Sequence, residues 1–466
     1  MSSRVALVFP YVRTRSATEL LFPPLGVATL AGQLRRLGIE TRLFDCTFGS
    51  LEGLRADLAA YDPQIVGISS MASLSRNTFA VAELVRAVLP ESLLVAGGPL
   101  PTVFPRRFAT HFDVVFRGEA DLSFPRFCAD YFARRASTTT MGTLPLATYR
   151  GLFVPNHGFH VDNPTTHHSE AELATFPPPD RAGFDHAAYQ DAWLRAGGAK
   201  VTSLIATLGC PFACDFCSKP IFGAAVRRRD LDVVFAEIDE IVALGYDSLW
   251  IADDTFTLDR AYLAEFCRRV GDRGVSWSCL SRGDKVDETT VARMAAAGCR
   301  RVYLGLESGS QETLALMNKH LTVAEGVRAV ELYRRAGIGV AGFFIVGYPG
   351  ETPAAIEETF ALALGLPLDE ISFNVPYPLP GSALFDRLGG LGGLGDGADW
   401  NEENEVTFLY RSEFDAAWLR RRIAETMAAF ATAAGAAGGR WPVRTASGRA
   451  GRRAPAGGAA RTGRGP

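Results

Sequence analysis

The sequence predicts an α/β protein made of two parallel-sheet units, a doubly wound domain over residues 1–134 and a partial (β/α)6 barrel over 201–390. Three observations predict it. Short, β-branched apolar runs alternate with amphipathic stretches five times before residue 135 and six times after residue 200. The runs are apolar throughout rather than alternating, as in sheets covered on both faces. At 466 residues, 47% hydrophobic and 21% charged, the chain is long and apolar enough for more than one core, given ~100–200 residues per domain.

In the first unit the strands are "RVALVFP", "TRLFD", "IVGISS", "LLVAGGP" and "DVVFRGE", with helical stretches such as "LGVATLAGQLRRLG" between them. Doubly wound sheets bind ligands beyond the carboxyl ends of their strands. Those ends hold Asp45, Ser69, Ser70, Gly97, Gly98, Gly118 and Glu119. Several glycines at one edge let a flat ligand approach the backbone. No GxGxxG follows the first strand, which weighs against a dinucleotide.

Residues 135–200 break the pattern and read as a linker with a hairpin at "GLFVPNHGFHVDN" and a proline-stiffened "ATFPPPDRAGFD". His157, His160, His167 and His168 fall here and read as surface histidines in a loop, with a metal site as the alternative. The second unit has strands "VTSLIATLG", "SLWIADD", "SWSCLSR", "RVYLGLES", "VAGFFIVG" and "EISFNVPYP". Their carboxyl ends carry Cys210, Asp253, Asp254, Ser281, Arg282, Glu307, Ser308 and Asn374, on the rim where βα barrels place chemistry. A small helical element is expected over 391–432, and an Ala/Gly/Arg/Pro tail over 433–466 reads as disordered.

The net charge of −3 gives no sign of a nucleic-acid partner. No signal peptide and no membrane-length apolar run is visible, so the expected compartment is cytoplasmic and thiols there stay reduced. Five of the eight cysteines (Cys46, Cys128, Cys267, Cys279 and Cys299) sit in apolar or helical contexts and read as packing residues. The other three, Cys210, Cys214 and Cys217, crowd "TLGCPFACDFCSKP" on a loop directly after a strand. A structural zinc usually takes four ligands in two separated pairs. Three thiolates without a fourth suit an iron–sulfur cluster with one iron left open, with zinc as the alternative.

CxxxCxxC with Phe216 before its last cysteine resembles the signature of the radical S-adenosylmethionine superfamily. The likeness runs through residues 201–385. "WIADDTF" resembles the second-strand motif that holds the methionyl amine, with Asp253 and Asp254 replacing the usual Gly-Gly-Glu. "SWSCLSR" resembles the third strand and implies that Arg282 faces the methionyl carboxylate. "VYLGLESGS" resembles the ribose motif, with Glu307 and Ser308, and "GFFIVGYPGET" the strand that lines the adenine. The first unit resembles the flavodoxin-like cobalamin-binding domain of one subgroup of that superfamily, through "PPLGVATLAGQLRRLG", "GISSMAS", "AGGPLPT" and "FRGEADLSF". Where cobalamin domains that ligate cobalt carry Asp-x-His-x-x-Gly, the stretch read as corresponding here is "DCTFG", so the resemblance implies no protein histidine on cobalt.

The resemblance implies a 4Fe-4S cluster on Cys210, Cys214 and Cys217, S-adenosylmethionine on its open iron, and cobalamin carried as methylcobalamin. It implies cleavage of S-adenosylmethionine to a 5′-deoxyadenosyl radical, hydrogen removal from a small molecule, and methyl transfer to a weakly activated carbon. A second S-adenosylmethionine reloads the cobalt. An external electron donor such as a flavodoxin or ferredoxin is the implied partner. A non-methylating rearrangement or cyclisation with the same cofactors is the alternative within enzymes, and a non-catalytic cobalamin module is the alternative outside them. The catalytic residue is not assignable from the sequence.

Overall fold

The structure, a computed structural model, describes residues 3–12, 21–134, 141–155, 161–218, 222–390 and 410–436. Strands β1 (Arg4–Phe9), β2 (Glu40–Asp45), β3 (Ile65–Ser69), β4 (Leu93–Gly97) and β5 (Val114–Phe116) are those expected of the first unit. They pair in parallel in the order β2-β1-β3-β4-β5. Alternation along β1 splits its side chains between two cores. Val5 and Leu7 pack with helices Leu25–Arg36 and Ser123–Arg134, while Ala6 and Val8 pack with helices Leu51–Tyr61 and Ser75–Val88. Both faces are covered, which is why the strands are apolar throughout.

The hairpin expected in the linker is present as β6 (Leu152–Val154) and β7 (Val161–Asp162). It does not stand apart: β6 pairs antiparallel with β5, so the sheet has seven strands and continues past residue 134. The turn with His157 and His160 lies outside the described residues. Helix His186–Gly197 follows, started by the Asp185 side chain accepting from the Ala188 N–H.

The second unit has β8 (Val201–Leu204), a small antiparallel pair of β9 (Thr207–Leu208) and β10 (Arg227–Arg228), then β11 (Ser248–Ile251), β12 (Ser276–Ser281), β13 (Cys299–Glu307), β14 (Gly339–Ile345) and β15 (Glu370–Asn374). The order β15-β14-β13-β12-β11-β8 is parallel throughout, with β8 and β15 as edges, as in an open six-stranded barrel. Its buried layer packs under helices such as Leu231–Ala243 and Pro353–Gly365, where Phe256, Phe266 and Trp277 meet edge to face. The alternate positions face the concave side and are only half-buried; there Trp250, Tyr303 and Phe343 form a row with centroid separations of 4.4 and 5.6 Å. Helix Ala416–Ala436 buries Leu419, Met427 and Phe430 in this same core, so the C-terminal helix belongs to the barrel. Residues 391–409 and the tail from 437 lie outside the described residues.

The edge of β8 is covered by the linker. Arg181 donates to the Ser203 carbonyl at 2.8 Å and pairs at 2.6 Å with Glu237, which Arg229 approaches from the other side at 2.8 Å. Glu237 is fully buried, so the arginines balance a carboxylate held away from water.

Candidate functional site

The three clustered cysteines sit on a loop closed at its base by the β9–β10 pair. Gly209 starts the loop at φ +88, where a Cβ would collide with the Ala225 carbonyl, so only glycine turns there without strain. The loop folds back through the Cys210 N–H to the Gly223 carbonyl and the Cys217 N–H to the Cys214 carbonyl. All eight cysteines are thiols, but their settings differ. Cys46, Cys128, Cys267, Cys279 and Cys299 are buried, and burial pushes Cys46 and Cys267 up to about 12. Cys210, Cys214 and Cys217 are half-buried.

No group of three or more His, Cys, Asp or Glu among the described residues is gathered to hold one metal ion. A tetrahedral zinc needs its sulfurs ~2.3 Å from a common point. A cluster spreads its thiolates over separate irons. Three half-buried thiols on one loop are the donor set that a cluster with one open iron takes.

The residues read as ligand contacts divide into two groups. Arg282 is buried and its guanidinium is engaged by protein: Nε meets Asp284 at 2.7 Å, while Nη2 donates to the His320 carbonyl at 2.7 Å and to the Lys319 carbonyl. It stacks over Phe212 at 3.8 Å, and Nη1 lies 3.8 Å from Cys214 Sγ. It therefore bolts the cysteine loop to the 319–320 turn. Asp253 is likewise turned inward. Its carboxylate accepts from the Ala206 and Thr207 N–H groups, both at 2.7 Å, and from Thr207 Oγ1 at 2.6 Å, so it shapes the entry to the cysteine loop. Burial pushes it up to about 7. Ser308 points to Thr359 Oγ1 at 3.0 Å and accepts from the Ser310 N–H.

Asp254 and Glu307 form the second group. Asp254 is exposed at the β11 end. Glu307 has φ +63, a left-handed conformation costly for a non-glycine and typical of functional positions. Its carboxylate bends over Gly305 to meet Lys319 at 2.6 Å, and Lys319 Nζ stands 5.9 Å from the Phe216 ring. Phe216 itself packs with Met317, Tyr348 and Leu384.

The first sheet contributes a cavity of about 530 Å³ between its carboxyl edge and β8, β9 and β11. Ser69, Gly97, Gly98, Gly118 and Glu119 line it, opposite Leu208 and Trp250. Gly98 has φ +105, and a Cβ there would lie 2.6 Å from the Ser70 carbonyl. Ser70 is buried behind the wall, bonded to Thr78 at 3.0 Å. Asp45 does not line the cavity: its carboxylate takes the Thr47 hydroxyl and the Tyr189 hydroxyl, each at 2.6 Å, and so anchors helix His186–Gly197.

Sequence reasoning missed three features. Glu119 forms a two-pronged buried pair with Arg227 (2.6 and 2.7 Å), joining the first sheet to the base of the cysteine loop. Glu351 accepts from the Gly347 and Tyr348 N–H groups at 2.7 and 3.0 Å, and burial raises it to about 7. His168 is buried in the cavity wall. Arg227 within "RRR" carried no signal for pairing 108 residues away, whereas a glutamate closing "GYPGE" could have signalled a carboxylate-capped turn.

Residues 15–127 match the family model described as B12 binding domain, and residues 204–363 match that of the Radical SAM superfamily. Such domains imply cobalamin, and a 4Fe-4S cluster with S-adenosylmethionine, respectively. An uncharacterized methyltransferase from Pyrococcus horikoshii is 28% identical over 398 residues, covering 82% of each chain. An anaerobic magnesium-protoporphyrin IX monomethyl ester cyclase from Cereibacter sphaeroides is 28% identical, covering 79% of this chain and 60% of its own. Among solved structures, the radical S-adenosylmethionine methyltransferase TsrM from Kitasatospora setae, with cobalamin and a 4Fe-4S cluster bound, has a TM-score of 0.72 at 19% identity, covering 85% of this chain and 80% of its own. That likeness is one of fold.

Proposed function

We propose that this chain, a radical SAM protein with an N-terminal B12-binding domain, is a cobalamin-dependent methyltransferase of a small molecule, acting at a weakly activated carbon. The observation that carries the reading is the placement of the two halves. The cavity at the edge of the B12-binding sheet is walled on its other side by the radical SAM barrel, and Glu119–Arg227 ties that edge to the cysteine loop.

Cys210, Cys214 and Cys217 would hold the cluster. Asp254 and Glu307, with Lys319 beside it, would meet the polar groups of S-adenosylmethionine. Ser69, Gly97, Gly98 and Gly118 would take the cobalamin side. When bound, these groups supply radical hydrogen abstraction and a transferable methyl. The protein's part is to orient them and keep water out, and the aromatic row Trp250–Tyr303–Phe343 gives the concave face an apolar lining. Electrons come from an external flavodoxin- or ferredoxin-like donor. No helix among the described residues is long and apolar enough to cross a membrane, and the reading places the enzyme in the cytoplasm.

The test is a turnover assay that counts 5′-deoxyadenosine, S-adenosylhomocysteine and product. Near-equal amounts of all three, with one methyl gained, are expected. A non-methylating ring closure has a specific point in its favour, the cyclase relative at 28% identity. Product with 5′-deoxyadenosine but no S-adenosylhomocysteine would select it, and absence of 5′-deoxyadenosine would remove both.

A further inference from the structure

The concave face of the barrel carries a band of rings that its own core does not use. Trp250 on β11, Tyr303 on β13 and Phe343 on β14 are half-buried and stand outside the core packed under the helices. Their centroids are 4.4 and 5.6 Å apart. Small neighbours leave room beside each ring: Ser278 pairs with Trp250, Ala341 with Tyr303 and Ser372 with Phe343. Toward the first unit the band continues to Phe22, 6.2 Å from Trp250, and from Phe22 to Trp193 at 5.0 Å. Large apolar side chains left accessible along one connected band mark a binding surface.

Charge selects the class of molecule. The charged side chains on this face are already matched, Arg301 with Glu370 at 2.6 Å below the rings and Lys319 with Glu307 at 2.6 Å at the strand ends. A carboxylate, phosphate or ammonium laid on the rings would leave water and find no open counter-charge among the described residues, which is costly. Flat rings, in contrast, stack or meet edge-on at separations like those already within the band. Tyr303 lies four residues before Glu307 on β13, roughly 13 Å at ~3.3 Å per residue. Neither Tyr303 nor Phe343 lines the cavity at the edge of the first sheet. These two rings are therefore separate from the groups given above to S-adenosylmethionine and cobalamin. We propose that the substrate is an uncharged molecule with flat, conjugated rings, laid over Tyr303 and Phe343 with one edge toward Trp250. The proposal rests on reading the chain as a small-molecule methyltransferase, and it names the class of that molecule.

The experiment uses the full chain loaded with cluster, S-adenosylmethionine and cobalamin. It is titrated with N-phenyl-1-naphthylamine, an uncharged aromatic fluorophore, and with 8-anilinonaphthalene-1-sulfonate, the same skeleton bearing one negative charge. One saturable site for the neutral probe is expected, with the sulfonate at least tenfold weaker. Tyr303→Leu and Phe343→Leu keep apolar bulk and remove the flat ring, so each should weaken the neutral probe about fivefold. Iron per chain reports whether each variant keeps its barrel; if both lose iron, the contrast between the two probes on the unaltered chain decides. Sulfonate binding as tight as the neutral probe, unchanged affinity in both intact variants, or neutral-probe binding that vanishes once the cofactors are loaded would each overturn the proposal. The reading it rests on is checked apart from the probes, by 5′-deoxyadenosine released on reduction of the unaltered chain. That release without a preference for the neutral probe removes the substrate class alone, and absence of release removes the methyltransferase reading.

Discussion

Replacing Arg282 by alanine should cost the protein its cluster before it costs affinity for S-adenosylmethionine. The side chain leaves behind Asp284, only 11% exposed, and the Lys319 and His320 carbonyls that it now satisfies. A buried charge left without a partner costs about 3–5 kcal/mol, and Lys285 Nζ stays 2.7 Å from Asp284, so about 3 kcal/mol is the upper figure here. That corresponds to up to roughly 10²-fold in the ratio of ordered to disordered cysteine loop. The contact over Phe212 disappears as well, and with it the cation 3.8 Å from Cys214 Sγ. Arg282→Lys keeps the charge but not the planar fork, so it should fall between the two. The assay is iron and sulfide per chain after anaerobic reconstitution, beside S-adenosylmethionine binding by calorimetry. Iron content should drop well below four per chain in the alanine variant. A full cluster with a selective loss of S-adenosylmethionine affinity would refute the bolt and restore a direct contact with the methionyl carboxylate.

Cys210→Ala, Cys214→Ala and Cys217→Ala should each abolish the cluster's visible absorption, and a complete four-iron complement in any one of them would end the assignment. Asp253 has a folded pKa of about 7 against an ordinary 3.8, so the folded state holds the extra proton between those values. Its contribution to stability is greatest below pH ~4 and falls as pH rises to ~7, by up to ~1.4 kcal/mol per pH unit. Asp253→Asn should remove that slope, and parallel denaturation curves for the two proteins across pH 4–7 would contradict it. Glu119→Gln and Arg227→Met should each cost about 3–5 kcal/mol singly and little more together; simple additivity would mean the pair does not couple the domains.

Much of the architecture was legible because a strand buried on both faces leaves an unmistakable apolar run. Each of the eleven runs holds a strand, but the run over 201–209 breaks into β8 and β9 of different sheets, and those at 113–119 and 370–378 are strands only over Val114–Phe116 and Glu370–Asn374. The hairpin was legible as a hairpin but not as the continuation of the first sheet, since Phe153 pairing with Val115 depends on how the chain returns. The site was legible in position and less so in direction. A motif says that Asp253, Arg282, Ser308 and Asp45 end strands; it does not say whether a side chain turns to the mouth or back to its own backbone. Asp253 turns back because the N–H groups of Ala206 and Thr207 leave β8 without ladder partners and need an acceptor. Arg282 is retained by carbonyls of a turn that only the fold brings near. His168 reads from the sequence as a surface loop histidine and is instead buried, because its place in the cavity wall is set by three segments together.

The linker's grip on β8 bears on how the protein can be taken apart. A fragment beginning at residue 201 would lose the Arg181 contact on the Ser203 carbonyl and leave the β8 edge uncovered, open to any other extended chain. It would also strip Glu237 of Arg181, leaving a buried carboxylate with one cation instead of two. Such a fragment should self-associate on release from the ribosome. A separately soluble catalytic half therefore has to start upstream of Pro177, with the segment that looks like a spacer kept as part of the barrel it covers.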